Sequence, residues 1–235
     1  LVYRPPGGAW GSPVDMSPAG SNASVQNQFT TTAADGTVTF VYYVQNVNRV
    51  YARDLSPAGT LGDPVEISAG DNGGGCGTPV TAADGTQYVA WCSDESHMRT
   101  RPPGGTWSDP ETISEGGTDS PTLTPLPNGD LLLNYKVSST SQVRASVRHD
   151  GVWSAPHALN GTPDSVTTYP RVALDGDGRA VVYWGEQTSG VPRGYTAILG
   201  ADGWGAATQL GNPGVITGTV LPDGNGDIVA GWLEY

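Results

Sequence analysis

RPPGGTW, residues 101–107, has a near copy, RPPGGAW, at residues 4–10, an offset of 97 residues. Midway between the two, at residues 53–61, lies a degraded copy, RDLSPAGTL. The offset therefore indicates a repeat unit of about 48 residues, half of the larger spacing. An internal period of this length is typical of solenoids, propellers and related arrays.

Composition narrows the class of protein. The 235 residues include 34 Gly and 19 Pro, but the apolar residues recur at regular positions, so we expect one folded, mostly β domain over residues 1–235, and a monomer. A net charge of −12 argues against nucleic acid or an anionic membrane as a partner and is compatible with a neutral ligand. No apolar run approaches the roughly 18 residues that span a bilayer. The start, LVYRPPGG, lacks the basic and apolar regions of a signal peptide.

Two independent spacings count five repeats. The first places an aromatic residue six positions after the glycine of each predicted hairpin turn: Gly36 and Tyr42, Gly85 and Trp91, Gly129 and Tyr135, Gly178 and Trp184, Gly226 and Trp232. The second places an apolar residue six positions after Trp10, Leu61, Trp107, Trp153 and Trp204, namely Met16, Ile67, Ile113, Leu159 and Leu210.

The glycine series also closes on itself. Its members are 49, 44, 49 and 48 residues apart, and 45 residues separate the last from the first through the chain ends. A linear solenoid has no reason to close in this way, whereas a ring does. Each unit reads as four short strands, as in TPVTAA, TQYVAW, MRTR and TWSDPETI. We therefore predict an all-β fold, a five-bladed β-propeller of four-stranded blades.

The phase of the repeat predicts how the ring closes. The chain begins in a third strand, LVYR, and stops after a second strand, DIVAGWLEY, so we expect the two terminal pieces to share one blade. RPPGG is then the hairpin turn between a third strand and an outermost strand, where Pro fixes φ and Gly supplies positive φ.

The two cysteines, Cys76 and Cys92, flank GTPVTAADGTQYVAW. A hairpin folded at Asp84-Gly85 brings them opposite each other, which predicts a cross-strand disulfide and hence an oxidising compartment and a secreted protein. Two buried free thiols in a cytosolic protein are the alternative.

The alternation of an R-x-P-G-G-x-W-S-x-P turn with a P-x-V-A-x-D-x-G-x-x-V-x-W hairpin resembles the sialidase-like, BNR-type propeller repeats of secreted bacterial proteins. The resemblance covers the whole chain and implies a fold rather than a function. In size, five blades are also similar to the tachylectin-2 type of sugar-binding propeller. Sialidases use three converging arginines, whereas Arg4, Arg101 and Arg148 precede hairpin turns here, so no catalytic residue is carried over.

The loops that join blades, and those that join second to third strands, form the predicted binding face. Two sets of residues there are candidates for ligand binding. Aromatic rings at strand ends could stack on sugars, or could instead fill the wedge between blades: Tyr42, Trp91, Tyr135, Trp184 and Trp232. Polar and aromatic residues of the irregular loops could bind hydroxyls, or could be merely solvated: Asp94, Glu95, His97, Tyr169, Arg171 and Glu186, with Lys136 and Arg193 beside them.

Calcium is a weaker alternative. LDGDGR and PDGNGD offer alternating oxygen ligands, but both lack the bidentate glutamate of a calcium loop, and hairpin turns favour the same residues. We therefore expect no cofactor and keep a calcium site open at Asp175, Asp177, Asp223, Asn225 and Asp227.

Catalysis also stays open. The predicted innermost strands contain no Asp or Glu before their turns, which argues against an arabinanase-like enzyme. Carboxylates that lie just ahead of those strands keep a glycoside hydrolase or polysaccharide lyase open: Asp71, Asp119 and Asp164. We expect a lectin-like, carbohydrate-binding protein, with an enzyme or a non-catalytic protein-interaction platform as alternatives.

Overall fold

The described part of the chain is built of β-strands joined by turns. The structure is a computed structural model that describes residues 1–17, 25–69, 77–114, 117–161 and 165–234. Within these ranges the strands form five antiparallel sheets and no residue is helical, so no helix is long and apolar enough to cross a membrane. The chain divides into two compact units, Leu1–Glu115 (unit 1) and Gly116–Tyr235 (unit 2).

Unit 1 contains two four-stranded sheets whose strands pair in sequence order. The first sheet consists of β1 (Val25–Thr32), β2 (Val38–Val44), β3 (Arg49–Leu55) and β4 (Val65–Glu66). The second sheet consists of β5 (Gly77–Thr81), β6 (Gln87–Cys92), β7 (Ser96–Arg101) and β8 (Glu111–Ser114).

Unit 2 contains three sheets built on the same plan. The third sheet consists of β9 (Thr118–Pro125), β10 (Leu131–Val137), β11 (Gln142–His149), β12 (Val152–Trp153) and β13 (His157–Ala158). The fourth consists of β14 (Ser165–Leu174), β15 (Ala180–Thr188), β16 (Val191–Gly200), β17 (Gly203–Trp204) and β18 (Thr208–Leu210). The fifth has two described strands, β19 (Val215–Pro222) and β20 (Ile228–Glu234).

All five predicted hairpin turns between first and second strands are confirmed. Their glycines have φ between 76° and 93°, a region that an L-residue with a Cβ rarely adopts. An Asp or Asn side chain one or three positions before each glycine accepts a hydrogen bond from a backbone N–H of its own turn: Asp35, Asp84, Asn128, Asp175 and Asp223. We call this end of each sheet the turn end, and the end where second strand meets third the loop end.

The RPPGG hairpin is also confirmed. Gly8 donates its N–H to Pro5 O at 3.0 Å, and Gly105 donates to Pro102 O at 2.9 Å, so the two copies close alike. The second repeat spacing begins at Trp10, Leu61, Trp107, Trp153 and Trp204. The residue after each of these donates its N–H to a carbonyl oxygen of the third strand or, in the first repeat, of the N-terminal segment, at 2.8–2.9 Å: Gly11 to Tyr3, Gly62 to Asp54, Ser108 to Thr100, Ser154 to Val147 and Gly205 to Ile198. Residues 1–14 therefore have the hairpin geometry of a third and an outermost strand.

The predicted all-β chain of repeated antiparallel sheets is thus confirmed. The repeat positions carry its core, as Ile67 and Trp91 pack in one cluster of unit 1 and Leu159 and Trp184 in one of unit 2. The blade count, the single domain over 1–235 and the blade shared by the chain ends stay predictions.

Candidate functional site

Four of the five repeat aromatics are buried, which favours a packing role over sugar stacking. The side chains of Tyr42, Trp91, Tyr135 and Trp184 are at most 2% exposed. Burial also raises the pKa of the Tyr42 hydroxyl to about 12. Their burial agrees with the alternative drawn from the sequence, in which a large side chain fills this position of each sheet, and their role in ligand binding stays a prediction. The fifth, Trp232, is 38% exposed, and its binding role stays a prediction.

The polar loop at residues 93–97 is a tight connection between β6 and β7. Ser93 donates its N–H to Glu95 O at 2.7 Å, which closes the loop and leaves Asp94 exposed. The His97 ring stacks on buried Trp91 at 5.5 Å between centroids, and its Nε2 lies 3.1 Å from Ser93 Oγ. His97 therefore covers the core at this loop, and the ligand-binding assignments of His97, Asp94 and Glu95 stay predictions.

Glu186 is likewise a structural residue. It is buried, and its Oε2 accepts hydrogen bonds from Trp184 Nε1 and Asn160 Nδ2, both at 2.9 Å. A buried carboxylate needs such donors because its desolvation is costly. Glu186 thus fixes the Trp184 indole and the loop at Asn160, and its assignment to ligand binding stays a prediction.

First strands bulge opposite the repeat aromatic. In β14 the register passes from Thr168–Gly185 to Arg171–Tyr183, so Tyr169 and Pro170 both lie opposite Trp184. The same shift occurs in β1 and β9 opposite Tyr42 and Tyr135. A bulge redirects the side chains of its strand, and bulges are frequent next to binding sites.

At the bulge in β14 an aromatic side chain, Tyr169, is exposed, whereas four of the five repeat aromatics are buried. Tyr169 is 47% exposed, Arg171 is exposed as well, and Pro170 between them is buried. The Lys136 ammonium lies 5.8 Å from the centre of the Tyr169 ring, within reach of a cation–π contact. Tyr169 therefore lies close to the Lys136 ammonium, and Arg171 follows it two residues later on the same strand.

Asp119 belongs to the same end of unit 2. In the pairing of β9 with β10 it lies opposite Lys136, and the next residue, Ser120, has a positive φ of 51°. We call Asp119, Lys136, Tyr169 and Arg171 the Tyr169 cluster. The structure thus places four residues that the sequence singles out at one loop end, among them Lys136, the only lysine in the chain.

Two of the five proposed calcium ligands, Asp175 and Asp223, accept hydrogen bonds within their own turns. Asp175 Oδ1 accepts from the N–H groups of Asp177 and Arg179 at 3.1 and 2.9 Å, and Asp223 Oδ1 accepts from Asn225 and Asp227 at 2.7 and 2.9 Å. In the part of the chain that the structure describes, no group of three or more His, Cys, Asp or Glu side chains is placed to hold a metal ion.

Three candidates lie outside the described residues. They are Asp71, Asp164 and Cys76, so the catalytic prediction for the two aspartates and the Cys76–Cys92 disulfide both stay predictions. The hairpin register itself is the predicted one, with Gly77 opposite Trp91.

The sequence missed a polar groove at the turn end of unit 1. Its volume is about 450 Å³, and its lining includes Asp35, Asp54, Asp84, Gln87 and Arg101. Arg101 donates to Asp54 through Nη1 at 2.6 Å and Nη2 at 3.0 Å, to Gln87 Oε1 through Nε at 2.8 Å, and to Thr39 Oγ1 at 2.8 Å. The guanidinium also lies 4.6 Å from the centre of the Trp107 ring.

The network is tightly satisfied. Thr39 Oγ1 donates to Asp54 Oδ1 at 2.7 Å and accepts from Gln87 Nε2 at 3.1 Å. Burial tends to raise the pKa of Asp54, but hydrogen bonds from Arg101 and Thr39, with the charge of Arg101, outweigh it and lower the pKa below 3.8. Asp54 is therefore a carboxylate that stays ionised beside a fixed guanidinium.

Comparison with known proteins establishes the fold type. No family model and no curated protein matches the chain. Among solved structures, the BP39L lectin from Burkholderia pseudomallei aligns over 97% of this chain and 72% of its own, with a TM-score of 0.65 and 14% identity. An α-L-arabinanase from Penicillium chrysogenum, complexed with arabinobiose, aligns over 87% and 74%, with a TM-score of 0.55 and 13% identity.

A third neighbour is the Hadza microbial sialidase Hz136, which aligns over 91% of this chain and 52% of its own, with a TM-score of 0.55 and 13% identity. These neighbours are of the propeller type. At such identities the likeness concerns the fold alone.

Proposed function

We propose that the chain is a carbohydrate-binding protein whose ligand binds at the Tyr169 cluster. The observation that carries the proposal is the half-exposed Tyr169 ring, with the Lys136 ammonium 5.8 Å from its centre. The apolar face of a sugar ring packs on an exposed aromatic face, while its hydroxyls accept hydrogen bonds from neighbouring cations. Lys136 and Arg171 supply such donors, and Asp119 pairs with Lys136 in the neighbouring strand.

The names of the structural neighbours support a carbohydrate ligand. One is a lectin, another an arabinanase with bound arabinobiose, and the third a sialidase. Two of those names denote enzymes, so a test of binding has to score hydrolysis as well. The platform for protein partners has no comparable support.

The proposed fold is a closed, five-bladed propeller. In the second sheet Gln87 pairs with Arg101. At the same repeat positions near the chain ends stand Ile228, in place of Gln87, and Arg4, in place of Arg101. Closure would then bring Tyr3 opposite Val229. A Tyr3→Cys, Val229→Cys double variant should form a disulfide between these positions on mild oxidation, detectable by peptide mass spectrometry. The pair Tyr3→Cys, Leu221→Cys is a matched control, since residue 221 lies on a first strand and should not react.

The protein is further proposed to be secreted, with a Cys76–Cys92 disulfide. The proposal rests on the hairpin that carries both cysteines and on the resemblance to secreted repeat proteins.

A polysaccharide screen tests the proposed function. Wild-type protein should be retained on at least one immobilised glycan, and Tyr169→Ala should weaken that retention by at least about tenfold, as loss of a central aromatic contact does. Trp10→Ala is the control, because Trp10 is an exposed aromatic residue of the N-terminal hairpin. Equal retention of the wild type and Tyr169→Ala would contradict the site. Hydrolysis of the retained glycan that is lost in Asp119→Asn would instead identify an enzyme.

A further inference from the structure

The polar groove of unit 1 has a counterpart in unit 2. The first groove lies at the turn end, lined by residues of the first and second sheets, and measures about 450 Å³. The second lies at the turn end, lined by residues of the third and fourth sheets, and measures about 560 Å³. Because both units follow the same repeat, their grooves can be compared position by position.

Strand register fixes the correspondence. Thr39 pairs with Asp54 across β2 and β3, as Leu132 pairs with Val147 across β10 and β11. Gln87 pairs with Arg101 across β6 and β7, as Ala180 pairs with Leu199 across β15 and β16. The four residues of the polar network therefore correspond to Leu132, Val147, Ala180 and Leu199.

In unit 2 these four positions are ordinary core. Leu132 and Ala180 are buried members of its hydrophobic cluster, and Val147 and Leu199 pack against them. The fold accordingly forms without polar residues at these positions. Replacing a buried ion pair by apolar residues is commonly neutral or stabilising, so stability alone does not explain why unit 1 keeps the network.

The geometry of the network suits a ligand. Gln87 and Thr39 are buried and hold the guanidinium, while the side chains of Arg101 and Asp54 are 15% and 36% exposed. A guanidinium beside a carboxylate offers donors and acceptors side by side, which matches neighbouring hydroxyls that each donate and accept. Supporting residues that lock a polar pair in place are what a binding site requires.

Charge and size restrict the ligand. Asp35, Asp54 and Asp84 line the groove against one arginine, so its formal charge is negative and an anion is disfavoured. A volume of about 450 Å³ lies within the range of small-molecule sites. We infer that this groove is a second binding site, which takes a neutral polyhydroxy ligand of monosaccharide or disaccharide size. The inference does not rest on the Tyr169 cluster.

The test transfers the residues of unit 2 into unit 1. Thr39→Leu, Asp54→Val, Gln87→Ala and Arg101→Leu are combined in one variant, which loses one positive and one negative charge and so keeps the net charge at −12. The change is made in a Tyr169→Ala background, so that binding at the proposed glycan site does not contribute. Saturation-transfer NMR then measures binding of arabinose, galactose, glucose, xylose, maltose and cellobiose.

The background protein should bind at least one of these sugars, and the fourfold variant should bind it at least about tenfold more weakly while it stays folded. In the background protein, the Arg101 Nε–H resonance should shift on titration with that sugar, a readout that does not depend on folding of the fourfold variant. No sugar bound by the background protein, equal binding by both proteins, or an unshifted Arg101 resonance would overturn the inference. Loss of glycan retention in Tyr169→Ala alone bears only on the proposed function.

Discussion

Arg101 and Asp54 form a bidentate ion pair, with Nη1–Oδ2 at 2.6 Å and Nη2–Oδ1 at 3.0 Å. Asp54 lies near the end of β3 and Arg101 ends β7, so the pair joins the first and second sheets of unit 1. The two residues are 47 positions apart, about one repeat. A contact of this kind ties neighbouring repeats together without a continuous strand.

Asp54→Asn should lower the free energy of unfolding by about 1–2 kcal/mol. The estimate lies between the values for exposed and buried pairs, because the Asp54 side chain is 36% exposed and the Arg101 side chain 15%. Urea unfolding followed by tryptophan fluorescence measures it. The fourfold apolar variant, which removes both charges, should be at least as stable as the wild type. If that variant instead loses more stability than Asp54→Asn, the network is needed for the fold.

Acid should weaken the protein in part through Asp54. Its pKa is lowered in the folded state, so its contribution is present above the unfolded value near 3.8 and is lost as the pH falls through the folded value. The pKa values of four other turn and loop carboxylates shift in the same direction: Asp15, Asp35, Asp175 and Asp223. The stability difference between the wild type and Asp54→Asn should therefore shrink between about pH 5 and pH 2. A difference that stays constant over this range would contradict the cause given for the shift.

Trp184→Ala should destabilise the protein by about 3–5 kcal/mol, since it empties a buried position and removes a donor from buried Glu186. Trp232→Ala should cost less than about 2 kcal/mol, because that side chain is 38% exposed. Chemical unfolding of both variants gives the comparison. Similar losses would mean that the five repeat aromatics are equivalent despite their different exposure.

Periodicity predicted the fold far better than the site. Glycine at a turn and an aromatic residue six positions later report on backbone geometry and packing, which recur in every repeat, so Gly85 and Trp91 were placed correctly. The same regularity does not separate ligand contact from packing at Trp91 and Trp184, because a large side chain at a strand end is also what the core requires. Whether such a side chain is buried depends on the sheet packed beside it, and this cannot be read from the sequence of a single strand.

The best site signals were departures from the repeat. Tyr169 lies on an irregular, bulged strand, and the sequence marked it through its loop context. Arg101 was dismissed as a repeat position, although the equivalent residue in the fourth sheet is Leu199. A comparison of repeats for polar residues at apolar positions would have identified Thr39, Asp54 and Gln87 as well.

Reduction should destabilise the protein by about 3 kcal/mol, the value for a disulfide that closes a loop of about 15 residues. The protein unfolded without reductant should then show no thiol reactive to Ellman's reagent, and the reduced protein should show two, since the sequence has two cysteines. A Cys76→Ser, Cys92→Ser variant should match the reduced protein in stability. Two reactive thiols before reduction would refute the disulfide and, with it, the argument for secretion.

Labelling of Lys136 tests carbohydrate binding at the Tyr169 cluster most directly. Lys136 is the only lysine in the sequence, so an amine-reactive reagent modifies its side chain and the α-amino group alone, and the latter is an internal reference. With a retained glycan present at saturation, acetylation of Lys136 should slow by at least about fivefold relative to the α-amino group. An unchanged ratio of the two rates, with the glycan still bound, would contradict the proposed site.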